Sequence, residues 1–70
     1  MNLKINGEMK QVELNLNSPS LAELITKLGH HPQLIVVEFN GTILNPDSWK
    51  KQFLKDGDTI EIVTIVGGGS

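Results

Sequence analysis

The sequence contains no cysteine, no tyrosine, one tryptophan and two phenylalanines. The absence of cysteine excludes disulfides, thiolate nucleophiles and cysteine metal sites. With 70 residues, the chain is near the lower limit at which one hydrophobic core supports a fold without cross-links. We therefore expect a single small domain with an efficiently packed core.

Positive charge is scarce and scattered along the chain. Six basic and eight acidic residues give a net charge of -2. A nucleic-acid surface needs clustered cations to neutralise phosphates, so we do not expect one. No apolar run approaches the roughly 20 residues of a membrane span, and Met1 leads directly into a strand-like pattern instead of a signal segment. We expect a soluble, cytoplasmic protein that binds neither nucleic acid nor membrane.

The end of the chain combines a strand-like segment with a run of glycines. Residues 62–66 are Ile-Val-Thr-Ile-Val, and residues 67–70 are three glycines and a serine. Glycine is unfavourable inside a strand because it packs no side chain and loses much backbone entropy. Such a tail can enter a channel too narrow for other residues and carry the terminal carboxylate into a partner. The same composition is also typical of a flexible linker or a frayed terminus.

The first third of the chain predicts a hairpin and then a helix. Leu3 and Ile5 alternate with polar residues, residues 6–8 supply a turn, and the alternation of residues 11–16 predicts a second strand with one apolar face.

The start of the helix has two possible caps. Ser20 and Glu23 have the spacing of a capping box, whereas Ser18 would place Pro19 in the first helical position. Gly29 suits a left-handed cap at the other end. The predicted apolar stripe of the helix comprises Leu21, Leu24, Ile25 and Leu28.

The second half predicts a return to strands with a short helix between them. In order, the predicted elements are a strand at 34–39, a tight turn at 40–41, a strand at 42–44, a short helical turn at 45–49, a turn at 55–58 and a strand at 59–66. A last strand beside the first, with one helix packed on a mixed sheet, is the α+β arrangement called β-grasp. We expect residues 1–66 to form this domain and residues 67–70 a flexible, glycine-rich tail.

The side chains that could carry catalysis each have a structural explanation. His30 and His31 are adjacent and cannot both face one way on a regular element. Asp56 and Asp58 flank a glycine in a turn, where aspartate is expected. The serines at 18, 20 and 48 lie at predicted helix starts, as caps do. The aromatic residues predicted to close the core are Phe39, Trp49 and Phe53. The body of the chain is therefore expected to have no active site, metal site or cofactor of its own.

Four parts of the chain form a pattern over its whole length. They are residues 36–41 (Val-Val-Glu-Phe-Asn-Gly), Trp49, residues 56–62 (Asp-Gly-Asp-Thr-Ile-Glu-Ile) and residues 66–69 (Val-Gly-Gly-Gly). In length and element order this pattern resembles the ThiS family, the ubiquitin-like sulfur carriers of thiamin biosynthesis. Its most specific part is the Gly57-Asp58 turn at a set distance before a terminal glycine pair.

The resemblance assigns roles to the glycines of the tail. Gly68 and Gly69 match the terminal pair of the family, so Gly69 would be the adenylated and sulfur-bearing residue, and Gly67 and Gly68 would give access to it. The chain departs from the family by ending in Ser70. If Ser70 is native, either it is removed first or Gly69 is not the reactive end; if it is an expression remnant, nothing changes.

The resemblance also implies partners. An adenylating enzyme of the ubiquitin-activating type would use ATP to activate the terminal carboxylate, and a persulfide donor would convert it to a thiocarboxylate. The carrier would then donate sulfur to a thiazole synthase, acting as a co-substrate and not as an enzyme. It would itself bind no cofactor.

The last strand also predicts a docking surface. If Ile60 and Ile62 face the core, alternation turns Val63 and Ile65 outward, on the face away from the helix. Exposed branched side chains beside the tail are typical of a partner contact.

Two other functions fit the same residues. The small subunit of molybdopterin synthase resembles the ThiS family in fold, tail and activation and differs in its acceptor. A β-grasp interaction domain without tail chemistry would use residues 67–70 only as a linker.

Overall fold

The computed structural model describes residues 1–65 and contains one sheet with a helix packed against it. The elements are β1 (Asn2–Ile5), β2 (Glu8–Gln11), α1 (Leu21–Lys27), a 3-10 turn (Pro32–Leu34), β3 (Ile35–Phe39), β4 (Thr42–Leu44), α2 (Pro46–Trp49) and β5 (Thr59–Thr64). The strand order is β2-β1-β5-β3-β4, with β5 parallel to β1 and antiparallel to β3. The predicted β-grasp arrangement is confirmed, and the last strand lies in the centre of the sheet.

The hydrophobic core lies between α1 and one face of the sheet. Alternate residues of β1, β3 and β5 point to this face, where they meet the apolar stripe of the helix. Each core side chain is at most 7% exposed. The core consists of Leu3, Ile5, Leu21, Leu24, Ile25, Ile35, Val37, Trp49, Leu54, Ile60 and Ile62.

The second strand lies earlier than predicted, at Glu8–Gln11 instead of residues 11–16. A two-residue turn follows Ile5, so β2 begins at Glu8. Its pairing with the four-residue β1 ends where Gln11 lies opposite Asn2. The chain then leaves the sheet, and Leu16 is 97% exposed. The prediction of a strand at 11–16 is wrong because the apolar alternation there belongs to a loop. Two of its residues, Val12 and Leu14, are partly buried against the core.

Of the two predicted caps, Ser20 is the one at which helix α1 begins. The Ser20 hydroxyl accepts a hydrogen bond from the Glu23 N–H at 3.1 Å, so Ser20 and not Ser18 is the N-cap. The Glu23 carboxylate makes a different contact from that of a capping box, because it accepts from the N–H of Asn15 at 2.9 and 3.2 Å. Glu23 therefore ties the loop before the helix to its first turn.

The end of α1 is partly as predicted. Gly29 has a φ of +80°, which confirms the left-handed cap. Leu28, however, is the C-cap residue and is exposed, because it lies beyond the last helical turn that packs on the sheet. The predicted stripe is therefore correct for its first three members only.

The three aromatic residues differ in how deeply they are buried. Trp49 is buried, and its indole N–H donates to the Leu44 carbonyl at 3.0 Å. Phe39 is partly buried against the core. Phe53 is 57% exposed, so the prediction that it closes the core is wrong. The next residue, Leu54, is buried at this position instead.

Candidate functional site

Strand β5 leads directly to the glycine-rich end of the chain and is held on both sides. It pairs with β1 at Thr59 and Ile60 and with β3 from Ile60 to Thr64. Beyond the strand, the Ile65 N–H donates to the Leu34 carbonyl at 2.6 Å. The backbone is thus fixed by the sheet up to residue 65. Val66 and the residues predicted to carry the chemistry and its access, Gly67, Gly68 and Gly69, lie outside the described part of the chain, as does Ser70.

An asparagine side chain extends the pairing of β5 beyond the end of β1. The Asn6 N–H donates to the Ile60 carbonyl at 2.9 Å, and Asn6 then turns away with a φ of +51°. Its side-chain oxygen accepts a hydrogen bond from the Ile62 N–H at 2.7 Å. This amide group takes the place of the carbonyl that a longer β1 would provide. From sequence, Asn6 was predicted only as a turn residue.

A second asparagine holds the start of β5. The Asn40 side-chain oxygen accepts from the Thr59 N–H at 2.8 Å, and its NH₂ group donates to the Asp58 carboxylate at 3.1 Å. Asp58 is 4% exposed, and its other oxygen accepts from the Lys55 N–H at 2.9 Å. The turn between β3 and β4 is thereby joined to the turn before β5. Sequence patterns predicted both turns but not the link between them.

The two turn aspartates have separate backbone partners. Asp56 accepts from the Asn2 N–H at 2.7 Å, whereas Asp58 binds the Lys55 N–H and the Asn40 amide. Both carboxylates therefore accept hydrogen bonds near the starts of β1 and β5, a structural role expected for aspartate in a turn.

The exposed side of β5 carries the predicted docking residues. Ile60 and Ile62 are buried on the helix side, whereas Val63 is 60% and Ile65 is 49% exposed. The predicted exposure of Val63 and Ile65 is confirmed, but the alternation of burial ends at Val63, because Thr64 is exposed as well. We call the side of the sheet away from α1 the outer sheet face. By strand register it displays Val36, Glu38, Ile43, Glu61 and Val63.

One of the two adjacent histidines has a structural role, and the described residues show neither a metal site nor a membrane-spanning helix. The His31 ring nitrogen Nδ1 accepts from the Gln33 N–H at 3.4 Å, which caps the 3-10 turn. Residues 1–65 contain no group of three or more side chains placed to bind a metal ion. None of the helices within the same range has the length and apolar character required to cross a bilayer.

A surface cleft lies at the end of the sheet opposite to Ile65. It has a volume of about 410 Å³ and is lined mainly by the loop after β2, with Met1 at its edge. Because β1 and β5 are parallel, Met1 lies at the end of the sheet where β5 begins. The cleft therefore lies near the start of β5, whereas the tail follows the end of this strand.

Several known proteins are similar to this chain in sequence over most of its length. The sequence profile of the ThiS family matches residues 3–69. Protein ycf40 of Trieres chinensis is 40% identical over 65 residues, which is 93% of this chain and 85% of that protein. The sulfur carrier protein ThiS of Bacillus subtilis is 31% identical over 67 residues, covering 96% of this chain and 98% of that protein.

Two further similarities concern a larger enzyme and a solved structure. The thiazole synthase of Paramagnetospirillum magneticum is 34% identical over 70 residues, which is all of this chain but only 21% of that enzyme. The crystal structure of the thiamine biosynthesis protein ThiS from Geobacter metallireducens has a TM-score of 0.80 and 33% identity, covering 99% of this chain and 100% of that chain. On these grounds, together with the β-grasp sheet, the chain belongs to the ThiS family.

Proposed function

We propose that this chain is a cytoplasmic sulfur carrier of thiamin biosynthesis whose Gly69 carboxylate is converted to a thiocarboxylate. The observation that carries the proposal is the central position of β5. This strand is paired through Thr64, and the next residue, Ile65, is hydrogen-bonded to Leu34. Val63 and Ile65 are exposed, and three glycines follow Val66. Membership of the ThiS family supports the same function.

The chemistry begins with activation of the carboxylate by a partner. A carboxylate is a poor electrophile, so an adenylating enzyme of the ubiquitin-activating type would join it to AMP and release pyrophosphate from ATP. The terminal sulfur of a partner's persulfide then attacks the carbonyl carbon, and AMP leaves. A thiol cleaves the remaining S–S bond and frees the thiocarboxylate. The carrier needs no cysteine for any of these steps and binds no cofactor itself.

The length of the tail limits how far the terminal carboxylate can extend from the body of the carrier. Residues 66–69 follow Ile65 and span at most about 14 Å when fully extended. The body of the carrier must therefore dock close to the entrance of the partner's site. Val63 and Ile65 are exposed next to this tail, and burying branched apolar side chains is favourable. We propose that they contact the adenylating enzyme.

The proposed acceptor of the sulfur is a thiazole synthase. A segment similar to this whole chain occurs within the thiazole synthases of Paramagnetospirillum magneticum and Magnetococcus marinus. A carrier and its acceptor in one polypeptide would have a high effective concentration. This arrangement favours a thiazole synthase over molybdopterin synthase as the partner of the present chain.

A reconstituted reaction tests the proposed function. The chain would be incubated with ATP, the adenylating enzyme and a persulfide donor of the same organism, and then with its thiazole synthase or with the large subunit of molybdopterin synthase. We expect ATP-dependent sulfur loading and sulfur transfer to the thiazole synthase alone. Transfer only to the molybdopterin enzyme would favour the second pathway. Absence of loading by a competent adenylating enzyme would favour a β-grasp interaction domain.

A further inference from the structure

Two glutamates occupy directly opposite positions on the outer sheet face. Glu38 of β3 lies directly opposite Glu61 of β5, and both residues are half-buried. On the other side of Glu38, the neighbouring position on β4 is Ile43, which is 62% exposed. The next cross-strand pair on this face is Val36 with Val63. A pair of negative charges thus lies within a largely apolar exposed surface.

This arrangement is unfavourable in the isolated chain. Side chains directly opposite on neighbouring strands are about 5 Å apart at Cβ, and like charges there are destabilising. No compensating cation is in place: within residues 1–65 the one ion pair is Lys10 with Glu8, at 3.9 Å. Lys4 is the lysine nearest in register, because it lies opposite Thr59 on the same face, yet it forms no ion pair with Glu61.

We propose that the outer sheet face binds the adenylating partner through an arginine that enters between Glu38 and Glu61. The inference rests on the proposed function and adds the chemistry of the partner surface. A guanidinium has five donors in a planar fork and is weakly hydrated, so it can bind two carboxylates at once and stack among apolar side chains. The surrounding Ile43 and Val63 would exclude water from this contact.

The position of the pair favours the adenylating enzyme as the occupant. Glu61 lies four residues before Ile65, on the strand that leads to the tail, and the tail reaches at most about 14 Å further. A surface that contacts Glu61 therefore adjoins the site that receives the carboxylate. An enzyme that binds the phosphates of ATP places cationic side chains around that site. The negative pair is complementary to such a surface.

The experiment compares stability and binding for charge variants of the full chain. Glu38→Gln with Glu61→Gln removes the repulsion and the two charges, and Glu61→Lys creates an attractive pair with Glu38. The matched control is Glu13→Gln, an exposed residue in the loop after β2. Val63→Asp tests the docking face itself. For each variant the melting temperature and the dissociation constants for the purified adenylating enzyme and for the purified thiazole synthase would be measured at several salt concentrations.

We expect binding to weaken without any loss of stability. Both outer-face variants should melt no lower than the parent chain. The double glutamine variant should bind at least about tenfold more weakly, with a shallower salt dependence, and Glu61→Lys should bind more weakly still. The control should bind like the parent.

Three results would overturn the inference or part of it. Unchanged affinity and salt dependence of the double glutamine variant, while Val63→Asp prevents binding, would refute the arginine contact and leave the proposed docking face intact. Unchanged binding of Val63→Asp as well would refute the docking face itself. Weaker binding to the thiazole synthase but not to the adenylating enzyme would refute the assigned occupant.

Discussion

The side-chain oxygen of Asn6 accepts a hydrogen bond from the backbone N–H of Ile62 at 2.7 Å, across 56 positions of sequence. One residue thus forms the turn between β1 and β2 and also holds the strand that leads to the tail. The contact lies three residues before Ile65, the last described residue. In the proposed function, the tail extends into the partner from a backbone that the sheet holds in place. Such contacts are needed because fraying of β5 would leave the start of the tail without a fixed position.

Replacing Asn6 by glycine should therefore loosen β5 without breaking the turn. Glycine accepts the positive φ of this position, but it provides no acceptor for the Ile62 N–H. We expect a loss of about 1 to 2 kcal/mol in the free energy of unfolding and faster hydrogen exchange at the Ile62 amide. Asn6→Asp keeps an acceptor oxygen and is the control. Equal exchange rates at Ile62 in all three chains would contradict this role.

Truncation of the two faces of β5 should have unequal costs. Ile62 is 7% exposed in the core, whereas its neighbour Val63 is 60% exposed. Ile62→Ala should lower the free energy of unfolding by about 2 to 5 kcal/mol, because it leaves a cavity, and Val63→Ala by much less. Urea denaturation would measure both. Similar losses in the two variants would show that the faces of the strand are assigned wrongly.

Removal of the Asp58 carboxylate should destabilise the fold without acting on the chemistry. Asp58→Ala leaves the Lys55 N–H and the Asn40 amide without their buried acceptor, which should cost about 1 to 3 kcal/mol. Asp58→Asn keeps one acceptor oxygen and should cost less. Below their melting temperatures both variants should load sulfur at the rate of the parent chain. Slow loading by a fully folded Asp58→Asn would assign a direct role to this carboxylate.

Charged substitutions on the exposed side of β5 should weaken docking. Val63→Asp or Ile65→Asp would bury a carboxylate in an apolar contact, so the affinity for the adenylating enzyme should fall while the fold is retained. Leu16→Asp is the matched control, since Leu16 is 97% exposed in a loop distant from β5. Circular dichroism and a binding titration would separate loss of fold from loss of binding. Affinity equal to that of the control would place the contact elsewhere.

Local sequence patterns predicted much of this fold. The alternation of Ile60 and Ile62 with Glu61 identified the buried face of β5, and the two Asn-Gly pairs identified tight turns with positive φ at Asn6 and Asn40. Ser20 was among the predicted helix caps. Each of these features depends on residues within a few positions of one another, so the sequence contains the necessary information.

The features that were missed depend on distant partners. The alternation at residues 11–16 is that of a strand, but β1 is short, and its pairing with β2 ends where Asn2 lies opposite Gln11. Phe53 is exposed because the adjacent Leu54 occupies the core. The contact between Asn6 and Ile62 joins residues 56 positions apart, and no local pattern of asparagine encodes it. The roles of Gly67, Gly68 and Gly69 remain sequence-based proposals.

The intact mass of the loaded carrier tests the central claim most directly. A chain ending at Gly69, incubated with ATP, its adenylating enzyme and a sulfur donor, should gain the mass difference between sulfur and oxygen at its terminus. Gly68→Val should fold normally but fail to load, because a β-branched residue restricts the backbone and is wider than glycine. The chain that keeps Ser70 should load only after Ser70 is removed. Loading on an untrimmed Ser70 would contradict the assignment to Gly69, and absence of any mass gain with a competent adenylating enzyme would contradict the sulfur-carrier function.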